Sequence, residues 1–366
     1  MRSLARAART SSSVTCNSSS SECPDGDTGR ARQTHRMAFD EFRVELTGYC
    51  YRMLGSGFEA EDAVQETLVR AWRAADRYNE RTGSVRTWLY RIATNVCVDM
   101  LRSAQRRALA MDLTAPARSG DALGEPLPDD RWIHPIPDAR ALPEDSAVRR
   151  ETIRLAFVAA LQHLPPRQRA VLILRDVLCW SAEEVAALLE SSTAAVNSAL
   201  QRARAALPAT KPGRPVDAAQ RDLLDRYCAA FERHDIDTLV GLLHEDATMS
   251  MPPFAWWLRG RADIRRALLD PEAACAGARL VPARANGSPA FWQTRPGPDG
   301  THAPFALVIL DVADDAIAGI VTYLDAPRLL PLFRLPLPPA AAATRPGLGS
   351  PDRCPGAAGH AIPVIR

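Results

Sequence analysis

Thr193, Asn197, Ser198, Gln201, Arg202 and Arg204 fall on one side of a predicted helix that runs to Leu207. Asn and Gln amides donate and accept at once, which suits base edges, and guanidinium groups suit phosphate. Val196, Leu200, Ala203 and Leu207 repeat at helical spacing on the other side. Upstream, Ser181 followed by Glu184 has the form of a capping box, and Val185, Leu188 and Leu189 give that helix its own apolar face. The turn Ser191-Ser192-Thr193 is too polar to continue the face, and its hydroxyls can cap the next helix. Two helices joined by a short polar turn, with amides and arginines outward, have the grammar of a DNA-reading helix-turn-helix. The same spacing also fits an ordinary helical hairpin with a solvated outer face.

A second segment separates the two readings. Tyr51 to Arg107 contains Glu61-Asp62-Ala63-Val64-Gln65-Glu66-Thr67 with Trp72, then Thr87-Trp88-Leu89 with Arg91-Ile92-Ala93, Asn95 and Asp99. Downstream stands LPPRQRAVLILRD, directly before the helix-turn-helix. With both motif sets in this order, the chain from about 38 to 207 resembles the extracytoplasmic-function subfamily of sigma-70 factors, initiation subunits of bacterial RNA polymerase.

That resemblance implies roles residue by residue. Asp62, Gln65, Glu66, Leu68 and Trp72 would dock on core RNA polymerase. Tyr78, Asn79, Thr82, Arg86, Trp88, Arg91, Asn95, Arg102, Arg106 and Arg107 would take the minus-ten promoter element, the last three arginines through phosphate. Ser192, Thr193, Asn197, Ser198, Gln201, Arg202 and Arg204 would read the minus-thirty-five element as duplex. The family's usual basic residue beside that serine is Asn197 here, which puts the base preference in doubt. Opening a duplex requires aromatic faces for an unstacked base; Trp88 and Tyr90 offer them, although a mid-helix position equally suits a core residue.

Along the chain six segments are expected: an N-terminal extension over 1–36, a helical unit over 37–108, a Pro-rich acidic linker over 109–148, a second helical unit over 149–208, a mixed unit over 217–330 and a tail over 331–366. Extension and tail are Ser-rich or Pro- and Ala-rich and are expected to be disordered; Met37 is a second candidate start. In the first unit Val64, Leu68 and Trp72 are expected to share one face, and Val85–Arg106 to form one long helix. Trp132, Ile133 and Ile136 are the linker's only large apolar anchors. The third unit reads as helices followed by antiparallel strands, including Phe305–Val312 and Ala316–Leu324 around Asp314-Asp315. Asp246-Ala247-Thr248-Met249, Met251-Pro252-Pro253, Gly260-Arg261 and Ile264 give it a resemblance to SnoaL-like α+β cones. The fold expected is thus two all-α DNA-binding units followed by an α+β unit.

Charge supports a division of labour. From Met37 to Glu66 two arginines face seven acids, and from Arg81 to Arg107 six arginines face one, although the net charge of the chain is only +2. A dipole of this kind suits a protein partner at one end and phosphate at the other. The eight cysteines have no C-x-x-C pairing, so free thiols in a reducing cytoplasm are expected and no metal or cofactor is implied. No apolar run is long enough to span a membrane, and no Walker loop, H-E-x-x-H or G-x-S-x-G occurs. The reading is a non-enzymatic sigma factor with core polymerase and promoter DNA as partners, an anti-sigma protein or small ligand left open, and cis control by the third unit. Two alternatives remain: a small-molecule enzyme or binding domain tethered to a DNA-binding module, for which His234, Asp235, Asp237, His244, Glu245 and Asp246 would be an acid-base set, and a dimeric helix-turn-helix regulator.

Overall fold

A computed structural model describes residues 39–78, 83–102, 106–118, 120–143, 150–207, 218–270, 276–297, 300–313 and 315–334. The extension, most of the tail, Asn79, Thr82 and Asp314 lie outside the described residues. In the first unit, α1 (Arg43–Leu54), α2 (Gly57–Arg73) and α3 (Val85–Leu101) pack together. Ser56 caps α2 by accepting the Glu59 N–H, and Ser84 caps α3 by accepting that of Thr87. Leu46, Tyr49, Met53, Val64, Leu89 and Ala93 are buried, as their helical spacing requires. Two expectations fail here. Helix α3 ends at Leu101, not Arg106. Trp72 does not join Val64 inside but is 46% exposed, because α2 is covered on its other sides and leaves this stripe uncovered.

The second unit consists of α4 (Leu155–Gln162), α5 (Pro166–Leu172), a π turn over Ile173–Val177, α6 (Ala182–Leu188) and α7 (Thr193–Ala206). Both halves of the predicted capping box form: Ser181 Oγ accepts from Glu184 N at 3.1 Å, and Glu184 Oε2 accepts from Ser181 N at 2.7 Å. Ser192 Oγ caps α7 by accepting from Ala195 N.

The third unit opens with α8 (Ala218–Glu232) and α9 (Ile236–Gly241). It continues through β1 (Leu243–Ser250), β2 (Trp257–Arg259), α10 (Arg261–Leu268), β3 (Arg279–Ala285), β4 (Ser288–Pro296), β5 (His302–Ala313) and β6 (Ala316–Tyr323), and closes with α11 (Ala326–Leu332). The sheet order is β2-β1-β6-β5-β4-β3. All neighbours are antiparallel except β1 and β6, which run parallel; the expectation of purely antiparallel pairing is corrected, because the helices and β2–β5 intervene between these two strands. Leu280, Phe291, Val308, Leu310 and Ile320 bury one sheet face against α8 and α10. The opposite face, with Ala290, Trp292, Leu307, Ile309 and Tyr323, belongs to the same apolar cluster as the first two units. Helix α11 also joins that cluster, so the unit extends past the expected boundary at 330, and Leu332 is buried.

The linker is pinned at several points along its described length. Ala117 N donates to Trp257 O and Leu127 N to Pro253 O, both at 2.8 Å. Trp132, Ile133 and Ile136 are essentially fully buried, as their apolar character predicts. The turn Asp138–Ala141 lies so close to α1 that a Cβ on Gly48 would stand 2.3 Å from Ala141 O. Arg52 of α1 donates from Nε and Nη2 to Thr152, and Arg169 of α5 donates to Met53 O and to Gln162 Oε1. Arg169 is 4% exposed. Burial draws its pKa down to about 10. It joins α5 to the end of α1, and nothing in the sequence marked it.

Candidate nucleic-acid interface

Helix α7 buries Val196, Leu200 and Ala203 and leaves Ser192, Thr193, Asn197, Ser198, Gln201, Arg202 and Arg204 exposed. The whole candidate minus-thirty-five set therefore shares one open face. Arg202 Nη1 donates to Ser198 Oγ at 2.7 Å, one turn back. Arg204 makes a two-point contact with Asp176 at 2.6 and 2.8 Å, and that carboxylate raises its pKa. Its guanidinium is thus anchored at the base of the helix, whereas Asn197 and Gln201 have no such tie among the described residues.

Helix α2 carries the second exposed stripe. Asp62 and Gln65 are exposed, Glu66 and Leu68 half-buried, and Trp72 stands at the end of the row. Glu66 is joined to Arg70 at 2.7 Å. An exposed indole beside acidic and amide groups has the composition of a protein-docking surface rather than a phosphate clamp.

The third group is arranged differently. Tyr78 and Trp88 pack ring to ring at 5.1 Å, and Phe39 also contacts Trp88 at 5.9 Å. Asn95 and Arg102 are exposed, and Arg102 pairs with Asp99 at 3.0 Å. Arg86 is gripped by Glu45 at 3.0–3.1 Å and lies 5.2 Å from the Trp180 ring of the second unit. Arg91 Nη2 donates to Ala187 O of α6 at 3.1 Å. Arg106 Nη2 donates to His163 Nε2 at 2.9 Å.

Family models match Sigma-70 region 2 over residues 38–107, Sigma-70 region 4 over 154–207 and a SnoaL-like domain over 224–320. Over 311 residues the chain is 45% identical to the ECF RNA polymerase sigma factor SigG of Mycobacterium tuberculosis, covering 81% of this chain and 82% of that one. The chain belongs to the ECF RNA polymerase sigma factors. Its identity to the M. tuberculosis sigma factor SigJ is 33% over 215 residues, 58% of this chain and 63% of that one. The crystal structure of SigJ superposes with a TM-score of 0.54 at 25% identity, covering 80% of this chain and 97% of that chain.

For this sigma factor the structure corrects one expected contact outright. Arg107 is 6% exposed and cannot reach phosphate. It donates to Glu59 at 2.5 Å and to the carbonyls of Asp129 and Trp132 at 2.9 Å. A basic run at a helix end reads as phosphate-binding in sequence, but here the linker returns over it and takes the donors. Arg86 and Arg91 are partly covered by the second unit, for the same kind of reason. Of the six residues considered as an acid-base set, His234 and Asp235 precede α9, Asp237 lies in its first turn, and His244, Glu245 and Asp246 stand exposed near the start of β1. Asp235 caps α9 through Thr238 N, Asp237 pairs with Arg265 at 2.8 Å, and Asp246 faces Arg259 at 3.6 Å. Tyr227, Phe231, Phe254, Trp256 and Phe291 are all buried in the apolar cluster of this unit, and Tyr227 of α8 packs on Phe291 of β4 at 6.4 Å. Among the described residues no His, Cys, Asp or Glu cluster fits a metal, and Cys50, Cys97, Cys179 and Cys228 are free thiols. No helix among them is long and apolar enough to cross a membrane.

One junction was missed by sequence reasoning. Asn286-Gly287, the β3–β4 turn, inserts where all three units meet, and Asn286 is 0% exposed. Its Nδ2 donates to Tyr51 Oη at 2.5 Å and to Ile153 O at 2.8 Å, and its Oδ1 accepts from Ile136 N at 3.0 Å. Gly287 N donates to Asp138 Oδ1 at 2.7 Å. The Asn-Gly pair is the strongest short-range signal of a hairpin, and it would have located the strands.

Proposed function

We propose that this chain binds core RNA polymerase through the α2 stripe and directs promoter-specific initiation, with its third unit holding the promoter-reading units in a closed resting form. The family membership across all three units carries the first part. The observation that carries the second is the cover over α3: Trp180 and Ala187 of the second unit lie on Arg86 and Arg91, which belong to the candidate minus-ten set. The sheet of the third unit is packed into the same core. A promoter-competent form separates these surfaces, since duplex at one element and melted strand at the other require both to be free.

Mixing the purified chain with core polymerase and assaying co-purification and run-off transcription tests the first part; failure of both would remove it. Trp72→Ala is expected to weaken core-polymerase binding by about 2 kcal/mol, as truncation of an exposed aromatic anchor does at interface centres, with thermal stability unchanged. Titration against labelled core enzyme measures it. Gln201→Ala is expected to lose about 1–3 kcal/mol of discrimination at one base position. A uniform loss over all promoter variants would instead assign Gln201 to the DNA backbone. Ending the chain after Lys211 is expected to shift promoter output at matched protein level, and unchanged output would remove cis control. The third unit is read as a regulatory and not a catalytic part, supported by its aromatic-filled interior and its scattered surface acids.

A further inference from the structure

Asn286-Gly287 is the only Asn-Gly pair in the chain. It forms the turn of the β3–β4 hairpin, closed by the pairing of Ala285 with Ser288. Both residues are left-handed, with φ of 57° and 66°, as a type I′ turn requires. The pair also carries a chemistry of its own. With no side chain on the glycine, its backbone nitrogen is free to approach the asparagine amide carbon. The bond from Gly287 N to Asn286 Cγ forms, the Cγ–Nδ2 bond breaks, and ammonia leaves with the proton from the glycine nitrogen. Water then opens the cyclic imide to aspartate or isoaspartate. The sequence is redox-neutral and consumes only water.

In the docked chain each group in that reaction is engaged. Asn286 Nδ2 donates to Tyr51 Oη at 2.5 Å and to Ile153 O at 2.8 Å, and Oδ1 accepts from Ile136 N at 3.0 Å. The nucleophile is held too, because Gly287 N donates to Asp138 Oδ1 at 2.7 Å. Turning the amide carbon onto that nitrogen would break these bonds together. Asn286 is 0% exposed, so the water that opens the ring is excluded as well. Tyr51 belongs to the first unit, Ile136 and Asp138 to the linker, and Ile153 to the second unit. Undocking the third unit therefore removes every one of these partners at once.

We infer that Asn286-Gly287 is a self-modification site that records opening: shielded while the units are docked, and converted to aspartate or isoaspartate once the third unit undocks. The product cannot redock. A carboxylate has no N–H for Ile153 O, and a charge in this position would be buried without a cation. Isoaspartate also inserts a side-chain carbon into the backbone of a two-residue turn, which shifts the register of β3 against β4. A reversible opening thus becomes one-way. The opening step rests on the closed-form reading above; the shielding in the free chain does not.

The readout is the amide-to-acid mass shift in the tryptic peptide from Ala285 to Arg328, whose only asparagine is Asn286. In neutral buffer the full chain alone is expected to convert at least about tenfold more slowly than a free peptide of residues 280–292, since only the opened fraction reacts. Conversion is expected to rise about tenfold or more in the complex with core polymerase, and also in urea below the unfolding midpoint, which opens the docked surfaces without polymerase. Peptide-like conversion in the free chain, or no rise in either condition, would overturn the site. The converted chain, separated by its added negative charge, is expected to give more run-off transcript than the unconverted chain at matched concentration, and Asn286→Asp to match it. Equal output from converted and unconverted chain would overturn the one-way step. A chain that converts in urea but never co-purifies with core polymerase would keep this site and end the promoter reading, so the two failures are distinguishable.

Discussion

Replacing Asn286 with Ala is expected to loosen all three units from one another at the cost of a single side chain. The amide makes three hydrogen bonds in a fully buried position. Its removal leaves the Ile136 N–H and the Ile153 carbonyl without partners, and an orphaned buried group costs about 1–3 kcal/mol. The backbone adds to this: Asn286 has φ of 57°, in the left-handed region that Asn tolerates better than Ala. A total near 3 kcal/mol corresponds to roughly a hundredfold faster exchange of the Ile136 amide. Hydrogen exchange on that amide reads the effect directly, and run-off transcription is expected to rise because the cover over α3 is released. Gly287→Val should act in the same direction, since its Cβ would stand 2.4 Å from Arg150 O at a φ of 66°. Wild-type exchange at Ile136 in both variants would show that the hairpin tip does not hold the units together.

Acidification is expected to weaken the same closed form through His134. This side chain is 7% exposed. Its Nδ1 faces Ser56 Oγ at 3.1 Å and Arg107 Nη1 at 3.4 Å, and its ring packs on Phe58 at 5.6 Å. Burial, then Arg107 and Arg328, draw its pKa from 6.5 to about 3. Glu59 and Asp129 are the nearby carboxylates, and they are engaged by Arg107 and Arg328. In the closed form the imidazole therefore stays neutral well below the pH at which the detached linker would protonate it. The opened or unfolded chain takes up the proton first, so stability is lost as pH falls from 6.5 toward 3, with no contribution above that window. At pH 5 the loss amounts to about 2 kcal/mol. Unfolding of the full chain in denaturant at pH 7 and pH 5 measures it, and His134→Asn, which keeps an acceptor but cannot titrate, should remove most of the difference. A parallel pH dependence in that variant would move the acid sensitivity to other groups.

The two predictions mark how unevenly the molecule was legible. The helix-turn-helix was readable to the level of individual bonds. Ser181 and Glu184 form the expected reciprocal pair, Ser192 caps α7, and the polar face of α7 is open. These features depend on residues three or four apart, so the pattern is contained in the segment itself. The strands β5 and β6 were readable for a similar reason, as apolar runs joined by a short turn. The β3–β4 hairpin was signalled by Asn286-Gly287, but that signal reports only a turn and says nothing of what the turn enters.

By itself the sequence determined the order of the three units, the caps and apolar faces of their helices, and the separation of an acidic segment from a basic one. Local spacing and side-chain chemistry are sufficient for these. Tertiary structure decided which polar groups remain available. Arg107 and Arg169 are as basic in sequence as Arg202, yet each is enclosed by carbonyls or a carboxylate from a distant part of the chain. Arg86 meets an indole supplied by another unit. The linker, polar in composition, is held because a few apolar side chains and backbone donors find partners on both sides. A guanidinium is exposed or buried according to what packs over it, and that partner is chosen by the global burial of apolar surface rather than by neighbours in sequence.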